Sequence, residues 1–147
     1  MKNRVIYTIG FTKKSAKQFF ELLKTNGVTL VADVRLNNRS QLAGYTKSDD
    51  LAYFLSLVGV KYQYWPEFAP TKSIRDAYHA SRSFEDYASA YAELLESREA
   101  VSKIPDSLIR EETICLLCSE SEAERCHRRL AAESIAASVE GMTIKHL

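Results

Sequence analysis

Glycine and proline are scarce, five and three among 147 residues, which excludes collagen-like repeats and extended low-complexity disorder. Cysteine is scarcer than a disulfide scaffold requires. Three is an odd number that suits a reducing cytosol, so a cytoplasmic protein is expected. Charge of one sign is also lacking: 20 Lys+Arg face 19 Asp+Glu, a formal net charge of +1. That balance argues against nucleic-acid binding by bulk electrostatics and leaves room for a local basic patch. No apolar run approaches the ~18–20 residues of a membrane span, so no membrane partner is expected. The opening stretch, Met1 to Gly10, has neither a long apolar region nor a small-residue cleavage site and does not read as a signal peptide. Glycine motifs of the P-loop and dinucleotide-binding kinds are absent, so no cofactor is expected.

What is present is the mixture of a globular domain, 46% hydrophobic and 27% charged. At this length one core suffices, and residues 1–147 read as a single domain. Val5 to Gly10 is β-branched and aromatic and predicts a first strand. Ala16, Phe19, Phe20 and Leu23 follow at helical spacing between Ser15 and Asn26. Val28 to Val34 is a nearly continuous apolar run, as in a strand covered on both faces. Ser48 is expected to cap a second helix carrying Leu51, Phe54, Leu55 and Val58, stopped by Gly59. Val60 to Trp65 is a third strand, closed by Pro66. Lys72 to Ala80 reads as a short helix, and Ser83 caps a firmer one with Phe84, Tyr87, Tyr91 and Leu95 on one stripe. Pro105 breaks the chain, and Thr113 to Cys118 is the clearest strand. Ser121 with Glu124 has a capping-box spacing, which starts the last helix near Glu122 and carries it to about Ser138. Met142 to His146 is a final edge-strand candidate.

Strands alternating with helices predict an α/β three-layer sandwich: a mainly parallel sheet of about five strands with helices on both faces. Ligands of such sheets bind at the carboxyl ends of the strands, near a switch in strand order. Gly10, Asp33-Val34-Arg35, Trp65-Pro66-Glu67 and Cys118-Ser119-Glu120 occupy those ends. Acids and bases are thus concentrated on one rim.

Asp33 closes an otherwise apolar strand, and a buried carboxylate must be paired or hydrogen-bonded. It is either half of a structural salt bridge with Arg35 or Arg39, or a general base beside Glu120, two carboxylates dividing acid and base duties. Cys115 and Cys118 have C-x-x-C spacing but point to opposite faces of a strand, which disfavours a redox motif. Cys118, Cys126 and His127 match none of the usual zinc spacings, so no metal site is expected. With the last helix already under way at Cys126, helical projection turns that side chain away from the sheet and puts His127 on the side of Ala131 and Ile135. His127 is then a catalytic imidazole or a satisfied one tying helix to sheet. Arg128 either clamps a phosphate or carboxylate or pairs with Glu120. From Arg35 to Arg82, cations alternate with Tyr45, Tyr62, Tyr64, Trp65 and Tyr78, the composition that tracks a phosphate backbone and stacks on bases; a solvated loop with core tyrosines has the same composition.

Thr8-Ile9-Gly10, Asp33-Val34-Arg35, and Leu116-Leu117-Cys118-Ser119-Glu120 followed by Cys126-His127-Arg128 together resemble the domain-of-unknown-function 488 family. The run Leu36 to Tyr45 departs from the common pattern and resembles a distinct subgroup. Phe11-Thr12 stands where many members have histidine and serine, so no histidine role carries over there. The resemblance implies a loose association with DNA repair and, for some members, base excision. Such chemistry takes a carboxylate near the sugar, a donor for the leaving base, an aromatic pocket and cations for phosphates. Asp33, Glu120 and His127 are the candidate catalytic groups. Gly10, Arg35, Asn38, Arg39, Tyr45, Trp65, Lys72 and Arg128 are the candidate substrate contacts. A nucleic-acid- or nucleotide-directed hydrolase, glycosylase-like, is therefore expected. A non-catalytic nucleic-acid- or anion-binding module is the first alternative, and a cysteine-dependent enzyme using Cys118 or Cys126 is the second. Asp33 locked onto Arg35, with His127 bonded to backbone, would make the constellation structural and leave binding as the reading to keep.

Overall fold

The computed structural model describes residues 4–38, 44–119 and 126–147. Five strands form one sheet: β1 (Arg4–Gly10), β2 (Leu30–Asp33), β3 (Lys61–Tyr64), β4 (Ile114–Cys118) and β5 (Met142–His146). The order is β3-β2-β4-β1-β5, and every pairing is parallel. Six α-helices are seen among the described residues: α1 (Ala16–Thr25), α2 (Ser48–Leu57), α3 (Lys72–Ser81), α4 (Phe84–Ser97), α5 (Asp106–Glu111) and α6 (His127–Ala137). None is long and apolar enough to cross a membrane.

Alternation along the strands divides the interior in two. Leu30, Ala32 and Val34 of the β2 segment, with Ile114, Leu116 and Cys118 of β4, pack with Tyr91 and Leu95 of α4 and Ala131 and Ile135 of α6. Val31, Cys115 and Leu117 face Phe19 and Leu23 of α1 and Leu51 and Leu55 of α2. The opposite facing of Cys115 and Cys118 follows from the same alternation. Burial on both sides explains why β4 reads as an unbroken apolar run.

Local chemistry sets most boundaries. Ser15 accepts from the Gln18 amide while the Gln18 side chain accepts from the Ser15 amide, a complete capping box. Ser83 and Thr71 cap α4 and α3 in the simpler way. Gly59, at φ 76, makes the left-handed turn from α2 into β3 that a side chain would strain. Three expectations need correction. Ser48 is the first residue of α2 rather than its cap; Lys47 holds the cap position without a side-chain bond. Helix α5 follows directly on Pro105, where only a break was read; proline suits a helix start because it has no amide hydrogen to leave unbonded. Helix α6 begins at His127, not near Glu122, and the Ser121–Glu124 capping box lies outside the described residues.

Candidate functional site: the carboxyl rim around β4

Strand β4 lies between β2 and β1. Both neighbours lead into helices on the α1–α2 face, whereas β4 leads into α6 on the other face. The strand order therefore switches on both sides of β4, which marks the rim above it as the place for a ligand. Gly10 is level with Cys118, and Asp33 with Leu117 and Tyr64. The Thr12 amide donates to Ser119 O at 3.0 Å and the Val34 amide to Leu117 O at 3.1 Å, continuing the pairing just past the strand ends.

Asp33 has no solvent exposure. Its Oδ1 accepts from Arg35 Nε (2.9 Å) and from the Arg35 amide (3.1 Å); its Oδ2 accepts from Arg35 Nη2 (2.9 Å) and Tyr62 OH (2.6 Å). Arg35 Nη2 also donates to Thr46 O at 2.7 Å, and the guanidinium lies over the Phe11 ring, 5.5 Å from its centroid. Burial, followed by the bond to the Asp33 carboxylate, pushes the Tyr62 phenol far up, so it stays a donor; Asn38 also hydrogen-bonds that phenol. The pair is a bidentate buried ion pair with its lone pairs satisfied, the structural alternative for Asp33.

His127 lies across the sheet. Its Nε2 donates to Val34 O at 2.7 Å, which fixes the neutral tautomer. Burial lowers its pKa from 6.5 to about 4; the Val34 bond opposes this, and Arg128 and Arg75 add to it. Asp33 shares the face of Val31, while Val34 and His127 belong to the opposite face. Asp33 and His127 thus stand on one rim from opposite faces of the sheet, and the Asp33 charge opposes the lowering of the His127 pKa.

Because α6 starts late, Cys126 is its N-cap and projects inward, contrary to the projection that turned it away. Its Sγ is 2.7 Å from Cys118 Sγ and 3.9 Å from His127 Nδ1. Arg128, 1% exposed, donates from Nη1 to Cys118 Sγ (3.2 Å) and from Nε to Thr8 Oγ1 (3.1 Å). Thr8 shares a further hydrogen bond with His146 Nδ1 at 2.5 Å. A buried guanidinium beside two thiols favours a thiolate on the sulfur that it touches.

The other candidates scatter. Trp65 is 7% exposed, packs on Phe68 and donates from Nε1 to Gln63, so its ring is core rather than a stacking platform. Tyr45 wedges against Phe19 and Phe20 and donates to Lys14 O at 2.8 Å. Lys72 sits on the exposed face of α3, paired with Asp76. Arg39 and Glu120 lie outside the described residues. Sequence reasoning passed over Lys14, four residues beyond β1, whose pKa is lowered by burial and by the Arg128 charge. Arg75 of α3, one of the cations of the Arg35–Arg82 stretch, acts to lower the pKa of His127 and Tyr87 in the same way. The only signal of Lys14 was a cation following a strand end. A wide cleft of about 820 Å³ lies at the opposite end of the sheet, lined by Arg4, Ile104, Ile109, Arg110 and Val139, away from these groups.

No curated protein and no solved structure matches the chain. The sequence profile described as "Domain of unknown function DUF488" matches residues 15–135, from the cap of α1 into α6. Thr8-Ile9-Gly10 falls before that span; Asp33-Val34-Arg35, Cys118 and Cys126-His127-Arg128 fall within it. The chain therefore belongs to the DUF488 family.

Proposed function

We propose that the rim around β4 binds an anionic ligand, the phosphate of a nucleotide or nucleic acid. The observation that carries this reading is the placement of Lys14 in the turn just after β1, where its amide donates to Phe11 O at 3.1 Å and its carbonyl accepts from Tyr45 at 2.8 Å. Its ammonium is part-buried, and its proton is disfavoured by desolvation and by Arg128. Among the described residues it makes no ion pair. Arg75, likewise without an ion pair among the described residues, adds positive potential from α3. Asp33 and Arg35 neutralise each other, and His127 is neutral at pH 7, so among the described residues Lys14 and Arg75 keep their positive charge. A phosphate would offset that charge, and the start of α6 adds favourable backbone dipoles. A cytoplasmic location belongs to the same proposal.

Hydrolysis of an N-glycosidic bond, and with it a role in DNA repair, demands more. Asp33 would have to leave both Arg35 and Tyr62 before an oxygen could meet water or a sugar. Binding is therefore the function that the geometry supports best.

Fluorescence anisotropy with a labelled single-stranded oligonucleotide, and pyrophosphate as competitor, tests this. Lys14→Ala and Arg75→Ala should each weaken binding several-fold and flatten the salt dependence. Arg110→Ala, at the other end of the sheet, should do neither. Equal affinities for all four proteins, or no binding at low salt, would overturn the reading. Appearance of abasic sites with the wild type and not with Asp33→Asn would restore the hydrolase.

A further inference from the structure

The two buried thiols at the rim have no part in anion binding, yet they are arranged for chemistry. Cys118 ends β4 and Cys126 caps α6, with 1% and 3% exposure and their sulfurs 2.7 Å apart. The pair is asymmetric. Arg128 Nη1 donates to Cys118 Sγ, and no cation is bonded to Cys126 Sγ among the described residues. Cys118 is thus placed to accept both from the guanidinium and from the Cys126 S–H. Its thiolate is stabilised, while its neighbour keeps the proton. The bond to Cys118 and burial together push the Cys126 thiol far up, in accord with that division. Cys115 shares none of this: it faces the α1–α2 side within the apolar cluster, and its thiol donates to the Leu116 carbonyl.

We propose that Cys118 and Cys126 are a peroxide-reactive pair, Cys118 taking oxygen from a small hydroperoxide and Cys126 resolving the product to an intramolecular disulfide. In the first step the Cys118 thiolate attacks the outer peroxide oxygen. An S–O bond forms, the O–O bond breaks, and the departing oxygen leaves as hydroxide or alkoxide and takes up a proton. Sulfur is oxidised and the peroxide reduced. In the second step the Cys126 sulfur attacks Cys118, giving up its proton to the departing hydroxyl. The S–S bond forms, the S–O bond breaks, and water leaves. Two thiols and one hydrogen peroxide thus yield one disulfide and two waters. The oxidant must be small because neither sulfur is open to an in-line approach by a bulky disulfide. Metal ligation is the weaker use of the pair: the described residues hold no cluster of three donors suited to an ion, and His127 Nε2 is committed to Val34.

The chemistry stands apart from anion binding, so either reading can fail alone. The test exposes the intact protein to hydrogen peroxide, denatures it in alkylating reagent and maps the peptides. The expected product is a Cys118–Cys126 crosslink, lighter by two hydrogens and reversed by dithiothreitol, with Cys115 alkylated throughout. Crosslinking should be about tenfold faster with peroxide than with glutathione disulfide at equal concentration. In Cys126→Ser, Cys118 should stop at the sulfenic acid and be labelled by dimedone; in Cys118→Ser, Cys126 should stay unlabelled. Recovery of both thiols fully alkylated, or their oxidation to sulfinic acid without a crosslink, would overturn the pair. Labelling of Cys126 alone would overturn the assigned roles, and equal rates with the two oxidants would overturn the small-oxidant requirement.

Discussion

The two faces of the sheet meet at one rim and treat charge in opposite ways. On the α1–α2 side, Asp33 and Arg35 are closed upon each other, with Tyr62 donating to the carboxylate and the Thr46 carbonyl accepting from the guanidinium. At the junction of β4 and α6, Arg128 donates to the Cys118 sulfur and to the Thr8 hydroxyl, and Lys14 and Arg75 bring further positive charge to the rim. A satisfied ion pair holds structure and offers a ligand little. An arginine bonded to a thiol sulfur instead sets a reactive atom beside a fixed charge. Residue types alone do not separate these cases, because both sides are built from acids, bases and hydrogen-bonding groups at strand ends.

The largest effect expected from breaking this contrast is on the closed side. Arg35→Ala strands the Asp33 carboxylate in the interior and should cost about 3–5 kcal/mol in urea denaturation, with much of the loss recovered in Asp33→Leu/Arg35→Ala. A loss below about 1 kcal/mol would mean that Asp33 reaches water and that the two sides are alike.

Next in size is the imidazole on the open side. The native pKa of His127 is about 4, below its ordinary 6.5, so the unfolded chain binds the proton more readily. Its contribution is complete above about pH 6.5 and is lost progressively as pH falls toward 4, on the order of 3 kcal/mol. His127→Gln keeps a donor for Val34 and should remove most of that slope. His146 is shifted the same way and will leave a smaller residue of it.

The smallest effect belongs to Lys72. It pairs with Asp76 in open solvent on α3, and Lys72→Ala should leave the denaturation midpoint unmoved. A clear loss would assign α3 a tighter hold on the body than its lack of buried side chains suggests.

Much of the architecture was legible because it rests on local rules. Apolar runs bounded by Gly10, Gly59 and Pro66 gave the strands, and helical spacing beside Ser15 and Ser83 gave two helices. The α6 boundary was misread because Ser121 and Glu124 satisfy a capping pattern in sequence, whereas the helix starts at His127. That shift of five residues reversed the placement of Cys126. The aromatic candidates failed for a related reason. Trp65 and Tyr45 carry the same rings whether they face a ligand or a core, and packing against Phe68, Phe19 and Phe20 chose the core.

The sequence by itself determined an α/β chain whose polar chemistry gathers where strands end, since hydrophobic period and turn residues act over a few neighbours. Which of those groups share a face was decided only by tertiary structure. Asp33 and Val34 are adjacent in the chain yet belong to opposite sides of the sheet, and Cys118 and Cys126 meet only because β4 and α6 close the distance between them. Pleat alternation separates neighbours, and parallel crossover connections bring distant residues together.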